Sequence, residues 1–241
     1  MTSLELYSSV VTRAETFGAA LDAAPGLPVE GRARRVLNVA AAAVGIALTA
    51  PVMLAIAVLV KLTSPGPILY RQVRVGLDRR NPRLPLGNHR RTIDYGGKPF
   101  TIYKFRTMTT AASRSGRQVW ATQNDARVTA LGRILRKYRI DELPQLFNVL
   151  RGDMNVVGPR PEQPNLFANL RTQVTQYGAR QTVRPGITGW AQINHHYDTS
   201  IDDVRTKVAL DLEYINRQSF GEDLKIMLRT VPVLVFKKGA W

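Results

Sequence analysis

The spacing of hydrophobic and polar residues changes several times along this chain, and each change predicts a different element. Residues 36–60, "VLNVAAAAVGIALTAPVMLAIAVLV", carry no ionisable side chain, while Arg32, Arg34 and Arg35 precede them and Lys61 follows. As one straight helix the segment reaches about 37 Å at about 1.5 Å per residue, enough to cross a hydrocarbon core of about 30 Å. Pro51 removes a backbone donor mid-segment and crowds the preceding turn, which predicts a kink or break there. Basic residues at both ends suit a segment that enters and leaves the bilayer through one face. A bitopic span with a proline kink and a buried core helix are the other readings of the same pattern.

Downstream the period shortens. "SPGP" at residues 64–67 predicts a stiff exit turn, and "ILYRQVRVG" at 68–76 has strand-like spacing. The basic stretch from Leu77 to Lys98, with its prolines and glycines, predicts a long surface loop. "PFTIYKFRTM" at 99–108 alternates like a short strand that delivers Lys104 and Arg106 close together. Residues 127–139 put Val128, Leu131, Ile134 and Leu135 on one helical face and Arg127, Arg133, Arg136, Lys137 and Arg139 elsewhere. Such a basic amphipathic helix suits anionic headgroups, or equally a solvated face on a core-packed helix. Val204, Val208, Leu212 and Ile215 pattern a further helix. The expected class is therefore α/β, mostly helical with few short strands. Residues 1–30 read as a weakly patterned N-terminal extension without the succession of a signal peptide, 31–63 as the membrane element, and 64–241 as the main domain.

Composition narrows the partners. The 241 residues are 44% hydrophobic, enough for a real core, and 34 Lys and Arg against 18 Asp and Glu give a formal net charge of +16. A polyanionic partner follows: nucleic acid, an anionic membrane face or a phosphorylated substrate. The absence of cysteine excludes disulfides, thiolate catalysis and Cys-type zinc sites. His195 and His196 lack the i, i+4 spacing of a helix-borne metal site and read as loop residues. No helix-turn-helix, aromatic RNA-binding signature or zinc module favours nucleic acid.

Against that basic background, "RIDELPQLFNVLRGDMNVVGPRPE" at residues 139–162 sets Asp141 and Glu142 side by side. Leu143, Leu146, Phe147 and Leu150 predict a helix that Gly152 stops, with Asp141 at its N-cap and Glu142 and Pro144 in its first turn. A carboxylate there is favoured by the helix dipole without any catalysis. The Gly-Pro-Arg-Pro-Glu turn is harder to explain so, because two prolines fix the backbone around Arg160. Lys104, Arg106 and Arg160, if brought together, suit phosphoryl oxygens. An ionised Asp beside neutralised phosphate is a competent nucleophile, and Glu142 is a hard oxygen donor for Mg²⁺.

Together "KFRTM", "DELPQLFNVLRGDMNVVGPRPE", "RPGITGWAQI" at 184–193 and the terminal "KKGAW" closely resemble the bacterial sugar transferases, monotopic polyprenyl-phosphate phosphoglycosyl transferases of exopolysaccharide and glycoconjugate assembly. The resemblance runs from about Arg34 to Trp241. It implies a re-entrant membrane helix hairpin with the catalytic domain on the cytoplasmic face of the bacterial inner membrane. It also implies transfer of a sugar phosphate from a nucleoside diphosphate sugar, usually a UDP-sugar, to polyprenyl (undecaprenyl) phosphate, with release of UMP. By that pattern Asp141 resembles the nucleophile and Glu142 the Mg²⁺ ligand. Lys104, Arg106, Arg160 and Arg184 match basic motif positions assigned to phosphate binding. Asp211 and Asp223 fall at two further acidic positions near the site, where exposed acids on a helix are the other reading. The family's helix break is commonly Ser-Pro, whereas here Ala50 precedes Pro51 and Thr49 stands one earlier. The 77–98 loop is longer than the usual turn, and the chain reads as a short form. The rival from another class is a membrane-anchored basic binding protein without catalysis; a second is direct displacement by polyprenyl phosphate, the acids serving only the metal.

Overall fold

The computed structural model describes residues 31–78, 96–109, 125–195 and 200–235, with side chains to residue 233. The expected N-terminal extension, most of the 77–98 loop, His196 and the terminal motif lie outside the described residues. The apolar segment is one helix, α1 (Arg32–Thr63), assigned as helix straight through Pro51, where the sequence predicts a kink or break. Thr49 donates its hydroxyl to the Gly45 carbonyl at 2.6 Å, so the polar side chain just before the proline is satisfied within the helix. Back-bonding of this kind and a missing proline donor are both local sources of helix bending.

A single stripe of α1 faces the rest of the protein. Arg34, Asn38, Ala42, Ile56 and Val60 are buried, and Gly45, Thr49 and Met53 are half-buried between them. Val36, Val44, Leu48, Val52, Leu54, Val58, Leu59 and Leu62 point outward and are exposed. Both ends of the helix are bonded to the same body. At the start, Arg34 ion-pairs with Asp223 at 2.9 Å and donates to Tyr214 at 2.7 Å, while Asn38 accepts from the Val156 amide at 2.7 Å. At the far end, Arg106 donates to the carbonyls of Val60 and Ser64, and Ile56 and Val60 pack on Phe105 and Leu135.

Strands β1 (Leu69–Val75) and β2 (Pro99–Phe105) form an antiparallel pair with Leu69 opposite Phe105 and Val75 opposite Pro99. Helix α2 (Ala130–Lys137) starts at Thr129, whose side chain accepts from the Gly132 amide, so the expected 127–139 helix is shorter at both ends. Leu135 is buried and Leu131 half-buried, but Ile134 is exposed beside Arg133 and Lys137. Helix α3 (Gln145–Arg151) ends at Gly152, where φ of 84° is the left-handed cap that the glycine predicts. Parallel strands β3 (Asn155–Val157) and β4 (Gly186–Thr188) follow, and they explain two of the glycine motifs. A Cβ on Gly186 would lie 2.1 Å from the Gly158 backbone nitrogen, so these two backbones approach only without side chains.

Helices α4 (Pro164–Gln173), α5 (Trp190–Asn194), α6 (Ile201–Arg217) and α7 (Phe220–Val235) complete the body. The predicted face of α6 holds: Val204, Val208, Leu212 and Ile215 are all buried, packing with Phe167, Tyr177 and Val157. Each such side chain contributes about 1.5–3 kcal/mol by leaving water. The two acids singled out on these helices are not exposed. Asp211 and Asp223 are buried and ion-paired, with Arg180 and Arg34 respectively. Removing one partner of a buried pair leaves an uncompensated charge, at a cost of about 3–5 kcal/mol. Asp223→Ala should therefore lower the unfolding free energy in detergent by about that much, whereas Asp202→Ala, whose side chain is 76% exposed, should change it by about 0.5 kcal/mol. Equal shifts in the two denaturation midpoints would deny Asp223 its anchoring role.

Candidate active site

The acidic pair sits in a turn of its own. After α2, Arg139 adopts the left-handed conformation with φ of 53°, and a 3₁₀ turn covers Ile140–Glu142. The Glu142 amide bonds the Arg139 carbonyl at 3.1 Å and the Leu143 amide bonds that of Ile140 at 3.2 Å. Ile140 packs on the cluster of Phe105, Leu135, Ile56 and Val60, which seats the turn between β2 and α1. Helix α3 begins only at Gln145, after Pro144. Asp141 is thus not the N-cap of that helix. A non-glycine residue at positive φ costs about 1–3 kcal/mol, and such strain tends to gather at functional sites.

The two carboxylates have different surroundings. Glu142 Oε1 accepts from Lys104 Nζ at 2.8 Å and from Arg160 Nη2 at 2.6 Å, while Oε2 faces Arg160 Nη1 at 3.2 Å. Burial would raise the Glu142 carboxyl, but the Arg160 and Lys104 charges outweigh it and hold it well below the usual range. Among the described residues none makes an ion pair with Asp141. Burial, then repulsion from Glu142, pushes its carboxyl up from 3.8 to about 6, against the pull of Lys104, Arg136 and Arg160. Burial likewise lowers the Lys104 ammonium, partly offset by Glu142.

Arg160 is placed by a turn in which the four successive carbonyls from Pro159 to Glu162 are taken. Pro159 O accepts from the Gly186 amide at 2.9 Å, Arg160 O from Arg180 Nη2 at 3.0 Å, Pro161 O from Arg74 Nη1 at 3.1 Å, and Glu162 O from the Val75 amide at 2.9 Å. The Glu162 side chain accepts from Lys207 at 3.0 Å, and Lys207, Arg180 and Arg74 hold its carboxyl down at about 2 although burial opposes them. A segment with two prolines and no slack follows, and the Arg160 side chain, 35% exposed, is its one arm toward solvent and Glu142.

Lys104, Asp141, Glu142 and Arg160 therefore come together, and the other expected residues do not join them by any described bond. Arg106 leaves the strand, which ends at Phe105, and turns its guanidinium onto the carbonyls of Val60, Ser64 and Pro67. Arg184 donates from Nε to the Gly152 carbonyl at 3.0 Å, tying the approach to β4 to the end of α3. Asp211 and Asp223 serve the buried pairs described above. Arg74, Arg180 and Lys207 escaped the sequence reading; only the strand pattern around Arg74 offered a signal, since their partners are distant in sequence. The donor set fits Mg²⁺ in one respect: two adjacent hard carboxylates suffice for an ion that completes its shell with phosphate and water, and Glu142 Oε2 has the looser contact. Among the described residues no three acidic or His side chains gather as a protein-only metal cage.

The sequence profile of the bacterial sugar transferases matches residues 29–237. The chain belongs to the bacterial sugar transferase family. Curated relatives include the UDP-N-acetylgalactosamine-undecaprenyl-phosphate N-acetylgalactosaminephosphotransferase of Aeromonas hydrophila, 41% identical over 88% of this chain and 46% of its own length. The UDP-glucose:undecaprenyl-phosphate glucose-1-phosphate transferase of Caulobacter vibrioides is 44% identical over 86% of this chain and 72% of its own. The Escherichia coli transferase of the same description is 39% identical over 82% of this chain and 39% of its own. The chain thus spans under half of two of these three bacterial sugar transferases.

The divergent carboxylates give the site a pH signature. Asp141 titrates near 6 when folded and near 3.8 when unfolded, so the folded state binds more protons between those values, and stability falls as pH rises through that window. The charged group then carries a cost of about 3 kcal/mol at neutral pH, from about 1.36 kcal/mol per pKa unit. In metal-free buffer Asp141→Asn should be more stable than wild type at pH 7.5 by up to about 3 kcal/mol, and the two should converge below about pH 4. Glu142→Gln should behave oppositely, losing stability above the carboxylate range because Lys104 and Arg160 lose their counter-ion. Denaturant unfolding across pH reads both; an Asp141→Asn protein no more stable than wild type at pH 7.5 contradicts the assignment.

Proposed function

We propose that this chain is a polyprenyl-phosphate sugar-1-phosphate transferase working through a covalent intermediate on Asp141. The observation that supports it is the division of labour in the pair: Glu142 engages two cations, while Asp141 is buried with no ion-pair partner among the described residues. A carboxylate without a counter-ion keeps its electron pair available for attack. An Asp141 oxygen attacks the sugar-bearing phosphorus of a nucleoside diphosphate sugar, and the bond from that phosphorus to the bridging oxygen breaks. Nucleoside monophosphate, UMP for a UDP-sugar, leaves. A polyprenyl phosphate oxygen, undecaprenyl phosphate in the named relatives, then attacks the same phosphorus and returns Asp141 as a carboxylate. Lys104 and Arg160 hold the diphosphate oxygens. Glu142, with Asp141 beside it, is the group that would hold Mg²⁺, which when bound neutralises charge on the diphosphate. The product suits the first membrane step of exopolysaccharide or glycoconjugate assembly.

With donor but no acceptor, wild-type protein should release about one equivalent of nucleoside monophosphate and gain the mass of a sugar phosphate on the peptide containing Asp141. Asp141→Asn should lose adduct and turnover while remaining folded. No adduct, together with initial-rate lines that intersect against the two substrates, would establish direct displacement. A panel of nucleotide sugars with undecaprenyl phosphate, scored for monophosphate release, identifies the donor.

The same reading places α1 as a re-entrant element in the cytoplasmic leaflet of the inner membrane. Its support is that residues near both ends, Arg34 and Val60, are bonded to one body, while the outward face is apolar and exposed. Exposed Ile134, Phe147, Leu150, Leu224 and Leu228 beside Arg133, Lys137 and Lys225 extend a surface suited to anionic phospholipid. Because the chain has no cysteine, Gly31→Cys and Thr63→Cys can be tested separately with a membrane-impermeant maleimide. Both should react only after spheroplasts are opened; labelling of one alone in intact spheroplasts makes α1 a full span.

A further inference from the structure

The phosphate-binding role assigned to Arg160 requires that its side chain start from a fixed point, and the structure supplies an unusual holder. Arg180 lies on the 3₁₀ turn Tyr177–Thr182 and its side chain is fully buried. Its Nε donates to Asp211 at 2.7 Å, its Nη2 to the Arg160 carbonyl at 3.0 Å, and its Nη1 stands 4.0 Å from Glu162. The guanidinium also lies over the Tyr177 ring, 4.9 Å from the centroid. Burying a cation this completely is a poor way to gain stability, since a well-packed apolar pair of the same volume commonly does as well. What an apolar pair cannot do is reach three groups in fixed directions at once. A planar guanidinium can, and an ammonium cannot.

We propose that Arg180 is a positioning residue for the donor diphosphate. It holds the Arg160 carbonyl, and with it the Cα from which the Arg160 guanidinium reaches Glu142 and the incoming phosphate. Asp211 acts at one remove, by fixing Arg180, and this accounts for an acid in α6 without any contact with substrate. The neighbouring prolines make the hold effective. Pro159 and Pro161 have restricted φ, so fixing the carbonyl between them leaves the turn little freedom to re-aim Arg160. Displacement of a binding group by about 1 Å can cost about 100-fold in rate. The inference rests on the reading of Arg160 as a phosphate ligand, and its test separates the two.

Arg180→Lys keeps the charge opposite Asp211 but loses the fork. It should lower kcat/KM for the nucleotide sugar about 10- to 100-fold, splitting between kcat and KM in the same way as Arg160→Lys. The decisive measurement is the double variant. If Arg180 acts through Arg160, Arg160→Lys/Arg180→Lys should be within about twofold of Arg160→Lys alone. Arg34→Lys supplies the comparison, a buried ion-paired arginine with no bond to the 159–162 turn, whose effect should multiply through in the Arg160→Lys background. Multiplying effects of Arg180→Lys and Arg160→Lys would overturn the proposal and return Arg180 to general stability. Should Arg180→Lys fail to fold, Asp211→Asn takes its place in the same cycle with the same two outcomes. Full activity of Arg160→Lys by itself would remove the phosphate reading, and the inference with it, before any double variant is made.

Discussion

One buried carboxylate between two cations joins the parts of the chain that the site needs. Glu142 meets Lys104 from β2 and Arg160 from the proline turn, bringing together segments 38 and 18 residues away in sequence. Opposite charges this close and this buried attract strongly, but each also loses its water, so the net result depends on geometry. Here the geometry is supplied from outside the triad. Lys104 is set by the β1–β2 register, Glu142 by the Ile140 anchor and the left-handed Arg139, and Arg160 by four occupied carbonyls. The pairing is thus a consequence of the fold, and the fold's loops are arranged to permit it.

Helix α1 takes part in that arrangement. Its buried stripe contributes Ile56 and Val60 to the cluster that seats Ile140, and Ala42 to the cluster of Phe100, Ile102 and Val149 beneath β2 and α3. The apolar helix is therefore packed on the main body along its length while its other faces stay uncovered. Arg106 makes the coupling physical: from the residue after β2 it bonds the last carbonyls of α1, where the helix dipole favours a cation. The long apolar helix and the strand that carries Lys104 are consequently held by one side chain.

Where the sequence was legible, local pattern dominated. The alternation over 99–105, the α6 face from Val204 to Ile215 and the stop at Gly152 each follow from period or from one residue's backbone preference. Where it was not, a distant partner or an unsignalled dihedral decided. Nothing local announces that Arg139 takes positive φ, and without that the acidic pair reads as the cap of α3 instead of a separate turn. Arg106 follows Lys104 by two, so alternation puts both on one side; the strand stops between them. Asp223 reads as an exposed helix acid until Arg34, 189 residues earlier, is seen to neutralise it.

Among the buried acids the pattern has one exception, and it bears on the chemistry. Glu142, Glu162, Asp211 and Asp223 each have a Lys or Arg at ion-pair distance, as expected of acids enclosed in so basic a chain. Asp141, equally enclosed, has none among the described residues. An unneutralised buried carboxylate is a state the fold makes costly, which its pKa of about 6 expresses. In the proposed two-step transfer, forming an ester on that oxygen would remove the charge from the carboxyl, the negative charge leaving with the nucleoside monophosphate, while Lys104 and Arg160 would face the phosphoryl oxygens that stay. The same burial that raises the free carboxylate would therefore favour the proposed covalent state relative to it. Moderate basicity would serve both half-reactions of the proposed transfer, because the group would attack phosphorus in the first and depart from it in the second. A carboxylate neutralised as Glu142 is would be a better leaving group and a poorer nucleophile. The asymmetry of the pair is the feature that the proposed two-step transfer would use.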